Sequence, residues 1–124
     1  MNVIQSKNAP AAVGPYSQGV DCGEFVFFSG QIPLVPETGL LAGDTIEAQA
    51  QQMFRNIKAV LLEAGLDFSN VVKTTVFLTD LANFAVLNGI YAEYFCEPYP
   101  ARSCVEVSAL PKGALVECEI IAKR

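Results

Sequence analysis

With 124 residues the chain is sized for one domain around one core, and 52% of it is hydrophobic against 17% charged, where soluble domains carry roughly 25% charged residues. Eight basic and thirteen acidic residues give a net charge of −5; no Lys/Arg cluster is present to displace counterions, which argues against a nucleic-acid surface. Histidine is absent, so Ser-His and Cys-His nucleophiles and imidazole-bound metals are excluded, and proton transfer falls to carboxylates, Tyr, Lys, thiols, backbone or water.

The opening "MNVIQSKNAPAAVGPYSQG" lacks the basic start and apolar run of a secretion signal, and no window approaches the roughly 18 apolar residues of a membrane helix. A cytoplasmic protein is expected. Its thiols Cys22, Cys96, Cys104 and Cys118 are then reduced and, lacking any C-x-x-C pair, provide no structural zinc site. "VIQS" reads as a short strand, followed by the Pro/Gly-punctuated loop "NAPAAVGPYSQG" with Tyr16. "EFVFFSGQIPL" (24–34) is aromatic and β-branched, hence a strand with Ser29 and Gly30 near its end. "VPETGLLAG" reads as a turn or hairpin around Glu37–Gly39.

The period then changes. "DTIE" has capping-box spacing, with Asp44 as N-cap and Glu47 three residues on. Ile46, Ala50, Met53, Phe54, Ile57, Val60, Leu61 and Ala64 recur at helical spacing until Gly65, a left-handed stop. "NVVKTTVFLTD" (70–80) alternates as a strand, Val72, Thr74, Val76 and Leu78 on one face and Lys73, Thr75 and Phe77 on the other. Asp80 caps a second helix that buries Phe84, Leu87, Tyr91 and Phe95 and ends at "EPYP". In "ARSCVEV", Arg102, Cys104 and Glu106 share a face; in "ALVECEIIAK", Leu115, Glu117, Glu119 and Ile121 alternate with Val116, Cys118, Ile120 and Ala122. The order β-β-(β)-α-β-α-β-β predicts an α+β sheet with both helices on one face, and the opposite face carries Arg102, Cys104 and Glu117 unless the helices cover them. The shortage of charge predicts that further copies of the chain cover part of the surface.

Two readings stand at each chemical position. Arg102 either lays its stem over apolar surface with its head in water, or offers a planar fork to an anion. Glu117 either faces solvent or orients a water molecule, and pattern does not separate it from Glu119. Cys104, with no histidine nearby in the repertoire, reads as a packing residue. Tyr16 is a lid over core or ligand. Ser29 and Gly30 form a strand-end turn, or present a hydroxyl and an N–H to a ligand.

Five blocks in order, "NAPAAVGPYSQG" (8–19), "FFSGQIPL" (27–34), "VVKTTVFLTD" (71–80), Asn88, and "YPARSCVEVSALPKGALVECEIIA" (99–122), resemble the Rid, or YjgF-type, family of reactive-intermediate deaminases over essentially the whole chain. The resemblance implies one domain over residues 1–124, a chorismate-mutase-like sheet backed by two helices, and a homotrimer whose sheets pack into a barrel-like centre with clefts between neighbours. It implies hydrolysis of 2-imino acids such as 2-iminobutanoate and 2-iminopropanoate, or their enamines, to 2-oxo acids and ammonia, without cofactor or metal. Such substrates are released by pyridoxal-phosphate dehydratases. Position by position, Arg102 matches the carboxylate-binding arginine and Glu117 the water-activating acid. Tyr16, Ser29, Asn88 and Cys104 match pocket positions, Gly30 contributing backbone. Other expectations to weigh are a non-catalytic trimer binding small 2-oxo or amino acids, a nuclease or translation inhibitor, and a thiol-switched chaperone.

Overall fold

The computed structural model describes residues 1–124. The strands are β1 (Asn2–Ile4), β2 (Gly19–Asp21), β3 (Phe25–Gln31), β4 (Val71–Leu78), β5 (Ala101–Glu106) and β6 (Val116–Lys123), and the helices are α1 (Ile46–Glu63) and α2 (Phe84–Tyr94). One six-stranded sheet runs β1-β2-β3-β6-β4-β5. All neighbours are antiparallel except β4 and β5, which are parallel, as a β4-α2-β5 crossover requires. The fold is therefore mixed α+β. No helix is long and apolar enough to cross a membrane.

Helix α1 buries the full expected stripe from Ile46 to Ala64 because those residues recur every three or four positions. It packs with Leu87, Ile90, Tyr91 and Phe95 of the α2 segment onto Val26, Phe28, Val76, Leu78, Val116, Cys118, Ile120 and Ala122, forming one core on one side of the sheet. The other side stays bare. Val3, Val20, Phe27 and Ile121 lie in register across four strands there, and Phe27 and Val105 are each 44% exposed. An apolar surface of that kind is unusual on a free-standing domain.

Several expectations need correction. The α1 cap is Thr45, whose side chain accepts from the Ala48 N–H, so Asp44 sits one residue outside it. Asp80 caps a 3-10 turn at Leu81–Asn83, and α2 follows it. Phe84 is half-buried while Ile90 is buried, since the turn delays α2's entry into the core. Val72 is exposed because a bulge shifts the register between Val71 and Lys73. β2 has no counterpart among the expected elements; being three residues long, it is too short for alternation to register. Of the turn or hairpin expected at 35–43 the turn is present, with the Thr38 and Gly39 N–H groups on the Val35 carbonyl, closed by one bridge, Leu34 to Leu41.

Replacing Thr45 with Ala should cost about 1 kcal/mol through the lost cap, and Asp44→Ala only a few tenths through the helix dipole, roughly 0.3 kcal/mol. Thermal melts at one protein concentration check this; the opposite order would return the cap to Asp44.

Candidate active site

The pleat decides where each candidate points. Arg102 pairs with Thr74 and Cys104 with Val76 across β5 and β4. Thr74 and Val76 are fully buried toward the helices, so Arg102 and Cys104 lie on the helix side. Glu117 pairs instead with Phe77, which sits between the buried Val76 and Leu78, and it faces the bare side. The structure thus divides six of the seven candidates into two groups on opposite faces, while Tyr16 stands in the exposed loop before β2, its hydroxyl accepting from the Val13 N–H. This corrects the expectation that Arg102, Cys104 and Glu117 share one face.

The first group lies at the sheet edge. Phe84, Asn88 and Tyr91 are spaced i, i+4, i+7 and share one face of α2. Arg102 reaches onto that face: its Nη1 donates to Asn88 Oδ1 at 2.7 Å, and its guanidinium carbon lies 4.8 Å from the Tyr91 ring centre and 5.4 Å from that of Phe84. The Tyr91 hydroxyl bonds Thr74 Oγ1 at 2.9 Å. Arg102, Asn88, Tyr91, Ala92, Tyr99 and Pro100 border a solvent-open cavity of about 450 Å³. Neither ion pair of the chain, Lys123–Glu24 and Arg124–Asp21, involves Arg102. Burial pushes the Cys104 thiol up, with Arg102 only partly opposing, so it is a poor thiolate.

The second group lies on the bare face. Between Phe28 and Gln31, β3 spends three residues where β6 spends two. That bulge carries Ser29 and Gly30, a device that re-aims side chains. Ser29 Oγ donates to the Ser17 carbonyl at 2.6 Å and Ser29 N–H to that of Gln18 at 2.9 Å, which ties the loop carrying Tyr16 to the bulge. The buried Gln18 amide anchors that loop, accepting from Ser6 N–H and donating to the Ser6 and Pro10 carbonyls. A Cβ on Gly30 would stand 3.0 Å from the Glu117 Cδ and Oε1. Gly30 is glycine because the carboxylate lies across it. Burial pushes the half-buried Glu117 carboxyl upward, and Glu119 on the same face pushes it further.

Tyr91, Phe84 and Gln18 were not expected at the site. Pattern assigned the first two to the core, and the one available signal was the amide of Asn88 set among apolar residues on a helix face.

The candidate charges therefore stand apart, a cation at one edge and a carboxylate on the opposite face of a small two-helix mixed α+β domain. The profile of the family described as Endoribonuclease L-PSP matches residues 6–124, and the chain belongs to this Rid, or YjgF-type, family. It is 52% identical over 124 residues to the 2-iminobutanoate/2-iminopropanoate deaminase of Salmonella typhimurium, covering 98% of this chain and 96% of that one. Its fold superposes on RidA from an Antarctic Psychrobacter with a TM-score of 0.96 at 50% identity, covering 100% of both chains. On Escherichia coli TdcF with bound serine the TM-score is 0.94 at 46% identity, covering 100% of this chain and 99% of that one.

Two predictions follow from the Glu117 environment. Gly30→Ala should displace the carboxylate and lower kcat at least about tenfold, since small misplacements of a reacting group are costly, with little change in melting. A fully active Gly30→Ala would mean that the carboxylate has no part. In the second, removing the Glu119 charge by Glu119→Gln lowers the Glu117 pKa, so the acid limb of the kcat/KM profile, set by protonation of the base, should move to lower pH. An unmoved limb would assign it to another group.

Proposed function

We propose that the chain hydrolyses 2-imino acids, and their enamine tautomers, to 2-oxo acids and ammonia, in a cleft between two copies of a homotrimer. The observation that carries this reading is the separation of Arg102 from Glu117 by the sheet. A second copy laying its bare apolar face against the β5 edge supplies Glu117, Ser29 and Tyr16 opposite the first copy's Arg102 and covers its exposed phenyl rings. The deaminase named among its relatives and the serine held by TdcF support a small ligand with a carboxylate and a C2 nitrogen.

In this mechanism Arg102 holds the substrate carboxylate through paired N–H donors; a hydrogen bond to a charged group contributes about 1.5–3 kcal/mol. The protonated imine is already electrophilic at C2 and needs no covalent nucleophile. Glu117 takes a proton from water as the oxygen bonds to C2, giving a carbinolamine. Its raised pKa suits it to pass that proton to nitrogen; the C–N bond then breaks as the carbinolamine hydroxyl gives its proton to the same carboxylate, and the departing ammonia carries that proton away as ammonium. The carboxylate is then free for another turn. Substrate for this chemistry comes from enzymes that eliminate water from hydroxyamino acids, pyridoxal-phosphate dehydratases among them.

Arg102→Ala should lower kcat/KM at least about 100-fold, and Glu117→Gln should lower kcat by about 10²–10⁴ with a smaller change in KM. Full activity in either variant sinks its role. Co-refolding the two inactive variants at equal amounts tests the shared site: a head-to-tail interface then pairs an intact Arg102 with an intact Glu117 in about one half times one half, or a quarter, of the clefts. Activity that stays at the level of the separate variants would place both residues in one copy's site. Binding of 2-oxobutanoate with no acceleration of imine hydrolysis would favour the non-catalytic binder instead. The nuclease reading suggested by the family's description gains nothing from a net charge of −5, and steeply salt-dependent RNA affinity would be needed to sustain it.

A further inference from the structure

A guanidinium that is to hold a substrate must itself be held, and a carboxylate partner would spend the charge that the substrate needs. We propose that Tyr91 is a positioning residue that, with Asn88, fixes Arg102 through groups carrying no negative charge, keeping the clamp cationic for its ligand. The inference rests on the reading of Arg102 as a carboxylate clamp.

The shell around Arg102 in its own chain is neutral. It consists of the Asn88 Oδ1 at 2.7 Å and the rings of Tyr91 and Phe84. The acids on the two elements that carry this group are engaged elsewhere. Glu106, on the same face of β5, accepts from the Leu81 N–H at 2.9 Å; Glu93 on α2 accepts from Gln51 Nε2 at 3.1 Å. An aromatic face attracts a cation without neutralising it. Apart from the Nη1 donor given to Asn88 Oδ1, the guanidinium N–H groups then stay available for a two-oxygen ligand.

Tyr91 is the ring best placed to do this because its own position is over-determined. It is 6% exposed, its hydroxyl meets Thr74 Oγ1, and it stacks on Phe95 at 4.3 Å and meets Phe54 edge-on at 5.9 Å. Thr74 is also the residue beside Arg102 in the ladder. One β4 residue therefore fixes both the backbone beneath the cation and the ring beneath its head.

The experiment uses the full chain and 2-oxobutanoate, a stable product analogue, read by titration, by steady-state kinetics and by the Nε–H resonance of Arg102. Tyr91→Leu should raise Kd and KM about tenfold with kcat little changed, and it should remove the Tyr91 share of that resonance's ring-current shift, leaving only the contribution of Phe84. Tyr91→Phe keeps the ring and should restore Kd to within about twofold together with the shift, although it melts lower without its bond to Thr74. Asn88→Asp makes a stronger bond to Arg102 and adds the charge that the wild-type shell avoids; it should bind 2-oxobutanoate more weakly than Asn88→Ala does. Tyr91→Leu with unchanged Kd and resonance overturns the proposal, as does Asn88→Asp binding as tightly as wild type. Arg102→Ala that binds 2-oxobutanoate normally brings down the clamp itself, and the inference with it.

Discussion

A pleated sheet sends neighbouring residues to opposite sides, and in this chain that alternation parts a cation from a carboxylate. Thr74 and Phe77 on β4 set the parity: the first pairs with Arg102 and faces the helices, the second pairs with Glu117 and faces away. No rotamer brings two such groups together through a layer of backbone. Any chemistry that needs both has to be intermolecular. Under the proposed assembly the bare apolar face and the low charge content take on one meaning, since the surface a second copy would cover is also the surface that presents Glu117. In the proposed assembly, packing and catalysis share an interface.

The two halves of the site are prepared differently. Arg102 rests on rings and an amide at an exposed edge, where water is near and the cost of an unpaired guanidinium is modest. Glu117 is half-buried across the Cα of Gly30 and beside a second acid, which raises its proton affinity. One half is arranged to keep its charge and the other to lose it readily. That contrast suits a reaction in which the substrate's carboxylate stays ionised while a proton moves from water to nitrogen.

Much of this was legible in the sequence. The α1 stripe from Ile46 to Ala64 and the alternation of Val116, Cys118, Ile120 and Ala122 are strong periodic signals, and each buries the residues expected. Arg102 and Glu117 stood out as charges in apolar strands. Which face each takes could not be read, because face is a property of register between β4 and its two partners, and register depends on pairings distant in sequence. The bulge at Val71–Lys73 defeated the simple reading of Val72 for the same reason. Tyr91 was hidden by its size: a large aromatic at helical spacing satisfies the core pattern whether or not its outer face also carries a cation. Thr45 and Asp44 are both good caps, and only the backbone geometry separates them.

The doubled residue at Ser29–Gly30 has a consequence for how this segment can vary. Gln31 returns to the buried side because two residues there span the distance of one, so the phase of the chain beyond depends on count more than on identity. Deleting either residue would close the bulge into a regular ladder with Gln31 still inward opposite Cys118, and would undo the local path of the backbone across which Glu117 lies; adding a third would turn Gln31 outward and shift the stretch leading to Leu34 by half a period. Substitutions at Ser29 are local events, whereas an added residue is felt all the way to the next turn. Among relatives, gaps should fall on either side of this pair and leave its spacing whole.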